Sequence, residues 1–312
     1  MKQSVLNPPG LELFAGFAAS RRSDIEVALR EYLPTSSVAG TDRFNQALEY
    51  VVFPGGKRLR MYLTLVASLL GGAPEETGLK LACAIEFIHT SSITLDDLPA
   101  MDDANLRRNR RVVHLEFGEG ASILVAISLL NQAYVLFSEA VPVDAPANRR
   151  RVLINEAASC IGSGGMIAGQ SAEMLFSGSN ADDSVLTSRE LKTTGLMRLM
   201  MTAGGIAAGA LDSDIAALAT FGERLGQAYQ IYDDLADASG NRQMIGKDVG
   251  QDSRHLRPTM LVGLDGNQAR RHAEKLVEMG KKELERFGNR REAEMLRSAA
   301  DFIVSGFGGQ KE

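Results

Sequence analysis

Residues 81–97, LACAIEFIHTSSITLDD, form a long apolar helical pattern that ends in two adjacent aspartates. Residues 221–237, FGERLGQAYQIYDDLAD, repeat the same organisation later in the chain. In both segments apolar residues recur every three or four positions, which is the spacing of a helix with a buried face. The two segments therefore predict core helices whose ends carry clustered carboxylates.

The carboxylate clusters predict a metal site. Several carboxylates held close together repel one another unless a cation lies between them. Magnesium is a hard cation that is held by one or two carboxylates together with substrate phosphate oxygens. We therefore expect a magnesium site that binds a diphosphate. Two alternatives stay open: a solvated acidic surface for the second cluster, and ion pairs with Arg107 and Arg108 for the first.

Local geometry should bring the members of each cluster together. In the second cluster Asp233 and Asp237 are four residues apart, so they share a helix face about 6 Å apart along the axis, with Asp234 beside them. In the first cluster Pro99 breaks regular helix hydrogen bonding. A local extra turn is then expected to return Asp102 to the two adjacent aspartates.

Helical periodicity extends over almost the whole chain, and strand-like alternation is scarce. We expect an all-α fold in a single domain, residues 1–312, with about ten or more helices around a central cleft. The polar, glycine-rich segment 238–258 is expected to be a loop or lid, and the glycines at 162–165 indicate a kink or a close helix contact. The predicted helices are 9–33, 41–53, 58–71, 77–98, 118–141, 147–177, 184–210, 213–239, 267–287 and 290–306.

Composition narrows the class of protein further. The formal net charge of −5 provides no overall basic excess, which argues against a nucleic-acid binder. Cys83 and Cys160 both lie in apolar helical context, which is typical of buried reduced thiols. We find no signal-peptide pattern and no run that approaches the roughly 20 apolar residues of a membrane span. We therefore expect a cytoplasmic protein without a transmembrane segment.

Several polar residues in special surroundings could contact a ligand. Gly56 lets the backbone approach an anion closely, and Lys57 and Arg60 lie on one side of the helix that follows. The same element is equally typical of an ordinary helix start with a solvated basic turn. Gln170 lies in an apolar helix and needs a hydrogen-bond partner, either from a ligand or from a neighbouring helix.

Glu86 and His89 form a Glu-x-x-His pattern, which in helix bundles can supply half of a di-iron site. A second pattern of this kind is required, and the sequence has none. His89 is better interpreted as a polar wall residue upstream of the first carboxylate cluster.

Taken together and in this order, the elements resemble those of the trans-isoprenyl diphosphate synthases, also called polyprenyl synthetases. The resemblance covers about residues 40 to 265. The family has a Gly-Gly-Lys-Arg-x-Arg element, an aspartate-rich motif followed by Arg-Arg, a Lys-Thr pair, a Phe-Gln-x-x-Asp-Asp-x-x-Asp motif and a Gly-Lys pair. The matching segments here are 55–60, 96–108, 192–193, 229–237 and 246–247.

The resemblance implies an isoprenoid synthase fold and condensation of isopentenyl diphosphate with allylic diphosphates (dimethylallyl, geranyl or farnesyl) by ionisation, condensation and elimination. It implies magnesium as cofactor, with three ions when substrate is bound. The implied metal ligands are Asp96, Asp97, Asp102, Asp233, Asp234 and Asp237. The implied ligands of the allylic diphosphate are Arg107, Lys192 and Lys247, and those of isopentenyl diphosphate are Lys57, Arg60, His89 and Arg108. Further implied substrate-binding residues are Gly56, Thr193, Gln230 and Arg257, and the catalytic set is Asp96, Asp97, Asp102, Lys192, Thr193, Gln230, Asp233 and Lys247.

The position five residues before the first aspartate predicts the product length. In the group that this chain resembles, a bulky aromatic residue there closes the product pocket. Here Ser91 occupies that position and Ser92 follows, so we expect room for a longer chain and a geranylgeranyl rather than a farnesyl product. Alternatively, another residue closes the pocket, such as Phe87 or one on the 118–141 helix.

Two other functions share parts of this pattern. A class I terpene cyclase would normally carry an Asn/Asp-x-x-Ser/Thr-x-x-x-Glu motif in place of the second aspartate motif. Asp233, Asp234 and Asp237, together with the basic residues implied to bind isopentenyl diphosphate, argue against it. A non-catalytic subunit of a heteromeric synthase would have lost metal ligands, and both sets are intact. Departures from the family pattern at residues 109–113 and 251–257 leave lid geometry and substrate preference open. The family also suggests a homodimer, with the small-residue faces at 121–137 and 203–210 as candidate interfaces.

Overall fold

Helices make up nearly all of the regular structure in the computed structural model, which describes residues 11–53, 55–175, 183–238 and 265–308. A two-residue antiparallel hairpin, β1 (Leu106–Arg107) and β2 (Arg110–Arg111), is the sheet structure within these ranges. The helices are α1 (Leu11–Tyr32), α2 (Asp42–Val52), α3 (Leu59–Leu70), α4 (Glu75–Asp96), α5 (Val113–Phe117), α6 (Glu119–Glu139), α7 (Ala147–Ile161), α8 (Met166–Leu175), α9 (Asp183–Ala208), α10 (Asp212–Ala238), α11 (Gly266–Glu283) and α12 (Arg291–Gly308).

The all-α prediction is confirmed, and most predicted helices begin and end within a few residues of the observed bounds. The predicted helix 147–177 was wrong as one element, because it divides into α7 and α8 around the glycines at 162–165. A Cβ atom on Gly165 would lie 2.1 Å from the carbonyl oxygen of Cys160, so only glycine fits where the chain turns back. The predicted helix 267–287 ends at Glu283 and continues as a 3₁₀ turn.

The helices pack in an arrangement that places the two aspartate segments on neighbouring elements. The helix α9 contacts α10, α8, α3 and α7, and α4 lies between α3 and α6. The helix α11 covers α10 from outside. The aspartates of the first segment end α4, and those of the second lie near the end of α10, with the middle of α9 contacting both helices.

The helix α6 is more apolar than expected. Among the described residues, it has the 21-residue length and the mean hydropathy of a membrane-spanning helix, contrary to the expectation that no segment approaches this limit. Length and composition alone are weak grounds for a membrane span, because the core helix of a globular domain meets the same criteria. One side of α6 packs inside the protein, where Leu129, Ala133 and Phe137 are fully buried.

The small-residue face at 203–210 brings α9 against α3 within the chain. A Cβ atom on Gly204 would lie 2.2 Å from the Cα atom of Ser68, so the two backbones touch at this point. Ala203 and Ala207 beside it are buried. From 203 to 207 this face is therefore covered by the chain's own α3, which leaves that part of it unavailable to a second subunit.

Substitution of Gly204 by alanine should destabilise the fold. The added methyl group would force α3 and α9 apart, and overpacking of this kind costs about 1–3 kcal/mol. The neighbouring Gly205 is a matched control, since its Cβ atom would meet other atoms only at 3.5 Å or more. Gly205→Ala should leave the free energy of unfolding unchanged or raise it by roughly 0.5–1 kcal/mol, because alanine favours helix. Urea denaturation measures both, and equal effects of the two changes would contradict the proposed backbone contact.

Candidate active site

The first aspartate cluster is assembled by a tight turn after α4. The backbone N–H of Asp102 donates to the carbonyl oxygen of Asp96 at 2.8 Å, and that of Ala104 donates to the carbonyl oxygen of Asp97 at 3.3 Å. The turn therefore folds back on the helix end, as the proline at position 99 led us to expect. It brings the Asp102 carboxylate close enough to add to the rise in the Asp96 pKa that burial causes.

Asp96 and Asp97 are both buried, with 9% and 5% of their surface exposed. Burial is the main cause of a raised pKa at each of these carboxyls. Two cations oppose this shift. Arg107 donates to Asp97 through Nη2 at 2.5 Å and Nε at 3.1 Å, and the Lys192 ammonium lies 3.3 Å from Asp96. The ion pair that the sequence suggested as an alternative for Arg107 is thus present.

The second cluster is tied to α9 by a short hydrogen-bonded chain. The hydroxyl of Thr193 donates to Gln230 Oε1 at 2.8 Å, and Gln230 Nε2 donates to Asp234 Oδ1 at 2.8 Å. Asp234 is buried and Asp233 is half-buried. Thr193, Gln230 and Asp234, which the sequence assigned to one site, are therefore in direct contact.

Lys192 connects three helices. Its ammonium pairs with Asp96 at the end of α4 and, at 3.1 Å, with Glu173 on α8. The close approach of α8 requires Gly169, where a Cβ atom would lie 2.3 Å from the Lys192 backbone nitrogen. These two carboxylates raise the pKa of Lys192 against the opposing effect of burial. Sequence reasoning missed Glu173, although a carboxylate in an apolar helix was a signal.

Gln170 lies on α8, one turn before Glu173. Both polar atoms of its side-chain amide are buried, and neither has a hydrogen-bond partner in the structure. A buried amide without a partner is costly, and one explanation is a bound ligand or water. The sequence suggested two possible partners for Gln170, a ligand or a neighbouring helix. Among the described residues, no neighbouring helix forms a hydrogen bond with its side chain.

A second group of cations surrounds His89 on α4. The Arg108 side chain lies against Gly56, where a Cβ atom would be 3.3 Å from Arg108 Nε. The Arg60 guanidinium lies over the ring of Tyr229 at 5.8 Å. Burial, reinforced first by Arg60 and then by Arg108, holds the pKa of His89 well below its usual range. We call His89, Arg60 and Arg108 the cationic cluster.

The cationic cluster is not neutralised from within. Within the part of the chain that the structure describes, Arg60 and Arg108 have no carboxylate at ion-pair distance. Burial lowers the pKa of Arg108, the Glu86 carboxylate opposes this shift, and the neighbouring arginines add to it. Like charges held together in this way favour binding of an anion, and arginine's planar fork suits phosphate oxygens.

The hairpin that carries Arg108 was missed by sequence reasoning. Arg108 and Asn109 form its two-residue turn with φ values of 53° and 59°. Positive φ at a residue other than glycine is uncommon and costs free energy, so such positions are frequent at functional sites. The turn directs Arg107 to the aspartate cluster, while Arg108 reaches the cationic cluster.

The remaining predicted residues divide into two groups. Lys57 is exposed beside Gly56, and Ser91 and Ser92 lie on α4 between the cationic and aspartate clusters. Lys247 and Arg257 lie outside the described residues, as do residues 239–258 of the predicted lid 238–258 and the side chain of Asp237.

The donor set fits magnesium. All the candidate ligands are carboxylate oxygens, which hard divalent cations prefer. In the described ranges, no three ligand side chains already converge on a single point. This arrangement is expected where phosphate oxygens and water complete the coordination shell, as is usual for magnesium.

Comparison with known proteins agrees with the fold and the site. The family model described as polyprenyl synthetase matches residues 41–293. The chain is 36% identical to the farnesyl diphosphate synthase of Bacillus subtilis (strain 168), over 80% of this chain and 85% of that protein. It is 34% identical to geranylgeranyl pyrophosphate synthase 6, mitochondrial, of Arabidopsis thaliana, over 83% and 79% respectively. A polyprenyl synthase from Caulobacter crescentus, solved with calcium and isoprenyl diphosphate, superposes with a TM-score of 0.77 at 26% identity, over 95% of this chain and 97% of that one.

The chain therefore belongs to the polyprenyl synthetase family. It is a prenyltransferase of the short-chain class, whose members make farnesyl or geranylgeranyl diphosphate.

The low pKa of His89 should make stability depend on pH. The unfolded chain takes up a proton at this residue below about pH 6.5, while the folded protein keeps it neutral. The free energy of unfolding therefore decreases as the pH falls below that value, by at most about 1.4 kcal/mol per pH unit. His89→Gln should reduce this loss when urea denaturation is compared from about pH 7 to about pH 5. His272→Gln, at an exposed position, is the control, and identical pH dependence in wild type and His89→Gln would contradict the assignment.

Proposed function

We propose that this prenyltransferase condenses isopentenyl diphosphate with allylic diphosphates and releases geranylgeranyl diphosphate. The observation that carries the proposal is the placement of two different charged groups along α4, the buried aspartates at its end and the cationic cluster around His89. The buried aspartates at its end suit a diphosphate held through metal, and the cationic cluster suits a diphosphate held directly. Two diphosphates in one site are what a prenyl elongation reaction requires.

The allylic diphosphate is proposed to lie between the two aspartate clusters. The residues that would hold magnesium there, with three ions in all, are Asp96, Asp97, Asp102, Asp233, Asp234 and Asp237. When bound, magnesium would neutralise the charge that develops on the departing diphosphate. Arg107 and Lys192 already lie beside these carboxylates and would turn from them to the diphosphate oxygens, together with Lys247. Thr193 and Gln230 hold Asp234 in place.

Isopentenyl diphosphate is proposed to bind the cationic cluster. Arg60 and Arg108 would hold its oxygens, His89 would contact them from α4, and Lys57 would close the site from the loop. Gly56 leaves space for Arg108, and Arg257 would add a further charge. The double bond attacks the allylic cation that forms when the carbon–oxygen bond breaks. A proton is then lost to the released diphosphate, which acts as the base.

The product length is proposed to depend on the packing of α4 against α6. The Ser91 hydroxyl donates to the carbonyl oxygen of Ala126 on α6 at 2.8 Å, and Ser91 is buried. The small side chain thus lies in the contact between the helices and does not project as an aromatic ring would. The Ser92 hydroxyl turns back to the His89 carbonyl of its own helix. Both serines thus leave this part of α4 without a bulky side chain, as a longer product would require, and fully buried Phe87 lies one turn before Ser91.

We also propose a cytoplasmic homodimer formed through α6. Its outward face exposes four large apolar residues, each between 39% and 60% accessible. Exposed apolar patches of this kind are typical of protein–protein interfaces. A second copy of α6 would remove them from water while the opposite face stays packed on α4. The residues concerned are Ile123, Leu124, Ile127 and Val135.

Product analysis tests the reaction. Purified protein with magnesium, isopentenyl diphosphate and each allylic primer in turn should yield geranylgeranyl diphosphate. Asp97→Asn removes a buried carboxylate and should lower the turnover by about 100-fold or more. Asp103→Asn is the matched control, because Asp103 is exposed and asparagine tolerates its positive φ.

Folded protein that elongates no primer would overturn the proposal and favour a terpene cyclase or a non-catalytic subunit. Equal activity of the Asp97→Asn and Asp103→Asn variants would instead contradict the role given to the first cluster.

The product length has its own test. Ser91→Phe should shorten the main product from geranylgeranyl to farnesyl diphosphate, because the ring cannot fit against Ala126 and is expected to turn towards the growing product. Ser91→Ala keeps the position small and should leave the product unchanged. An unshortened product from Ser91→Phe would show that another residue, such as Phe87, ends the channel. A farnesyl product from the wild type would contradict the geranylgeranyl assignment.

A further inference from the structure

Arg58 behaves unlike its basic neighbours in the loop before α3. Lys57 is exposed, whereas Arg58 is buried, with 5% of its surface accessible. Its Nη1 donates to Glu86 Oε1 at 2.6 Å, its Nε to Glu26 Oε1 at 3.0 Å, and its Nη2 to the carbonyl oxygen of Val52 at 2.8 Å. The guanidinium therefore connects α1, the end of α2 and α4.

The loop is built around this guanidinium. A Cβ atom on Gly55 would lie 1.8 Å from Arg58 Cζ, so the backbone passes directly over the side chain. Arg58 itself has a φ of 53°. A non-glycine residue at positive φ is held there by its surroundings, because the conformation is otherwise unfavourable. The contacts of Arg58 thus determine the path of the backbone at Gly56 and Lys57.

Glu86, the partner of Arg58 on α4, lies next to the cationic cluster. Glu86 is 2% exposed and lies on α4, one helical turn before His89. Two residues after Arg58, Arg60 begins the side of α3 that faces Tyr229. The Arg58–Glu86 contact therefore fixes the loop and the start of α3 against the segment of α4 that carries His89.

We propose that the buried Arg58–Glu86 pair is a positioning device for isopentenyl diphosphate binding. It holds Gly56, Lys57 and Arg60 in register with His89 and Arg108, without contacting the substrate. The inference rests on the proposed function of the cationic cluster. It also gives Glu86 a role that replaces the di-iron interpretation of its motif.

A positioning role and a purely structural role predict different kinetics for a variant in which stability is restored. A buried ion pair can often be replaced by apolar residues without loss of stability, whereas removing one partner leaves the other charged and buried. The double variant Arg58→Met/Glu86→Leu should therefore be more stable than either single variant. It should still lack the contacts that set the loop, so substrate binding should stay impaired. Outer-shell partners that orient metal ligands contribute about 10–100-fold to affinity or activity, and we expect an effect of the same order here.

The experiment is steady-state kinetics on the full-length double variant, with isopentenyl diphosphate and the allylic substrate varied in turn, and with the melting temperature measured in parallel. We expect KM for isopentenyl diphosphate to rise about tenfold or more. KM for the allylic diphosphate and kcat should change by less than about threefold. Arg58→Lys keeps the charge and should give an intermediate KM, because an ammonium cannot make the three directed contacts.

Arg198→Met is a matched control. Arg198 is also held between two carboxylates, Glu156 at 2.7 Å and Glu223 at 2.6 Å, but on α7, α9 and α10. It should lower the melting temperature and leave both KM values unchanged. A double variant that folds and keeps the wild-type KM for isopentenyl diphosphate would overturn the inference. Equal increases in both KM values would do the same, since they would indicate a general structural effect.

Arg60→Ala separates this inference from the proposed function. If Arg60→Ala raises KM for isopentenyl diphosphate and the double variant does not, only the positioning role fails. If neither change affects that KM, the assignment of the cationic cluster is wrong, and the inference fails with it.

Discussion

The rest of this structure depends on one constraint: carboxylates are buried away from water at the ends of two helices. Asp96 and Asp97 lie at the C-terminal end of α4, where the helix itself contributes partial negative charge. Burial there destabilises both anions and raises their pKa values. Positive charge must be supplied nearby, and Lys192 and Arg107 supply it. The same electrostatic demand makes the site suitable for divalent cations.

That demand explains the position of α9. Lys192 reaches Asp96 only because α9 passes close to the end of α4, and α9 is held there by glycine contacts on two sides. Gly169 allows α8 to approach the Lys192 backbone, and Gly204 allows α3 to approach a few turns later. Thr193, next in sequence, connects the same helix through Gln230 to Asp234. The packing of small residues therefore sets the distance between the two aspartate clusters.

The basic residues near the cleft fall into three groups according to their partners. Arg107 and Lys192 are paired with the carboxylates that are proposed to bind metal. Arg58 is buried in a pair with Glu86 and supports the backbone. Arg60 and Arg108 have no carboxylate at ion-pair distance among the described residues, and they add to the lowering of the His89 pKa that burial causes. Residues of one chemical type are thus proposed to serve metal, scaffold and ligand, and the difference lies in what surrounds each one.

The sequence by itself determined the helical class, most helix bounds and the identity of the aspartate and basic motifs. These features depend on local periodicity and on short spacings, which are independent of how distant helices pack. The pairing of charges was decided only by the tertiary structure. Glu173 and Glu86 each meet their cation across helices, and nothing in the sequence near Lys192 or Arg58 indicates those partners.

The positive-φ turn at Arg108 and the hydroxyl contact of Ser91 with α6 were likewise decided by the fold. The sequence showed which groups were present, but a buried charge, amide or hydroxyl takes whichever partner the packing brings within hydrogen-bonding distance. Which partner comes within reach depends on contacts along the whole chain. For that reason the chemistry of the site followed from local motifs, while the separation of the buried aspartates from the cationic cluster required the three-dimensional arrangement of α3, α4, α9 and α10.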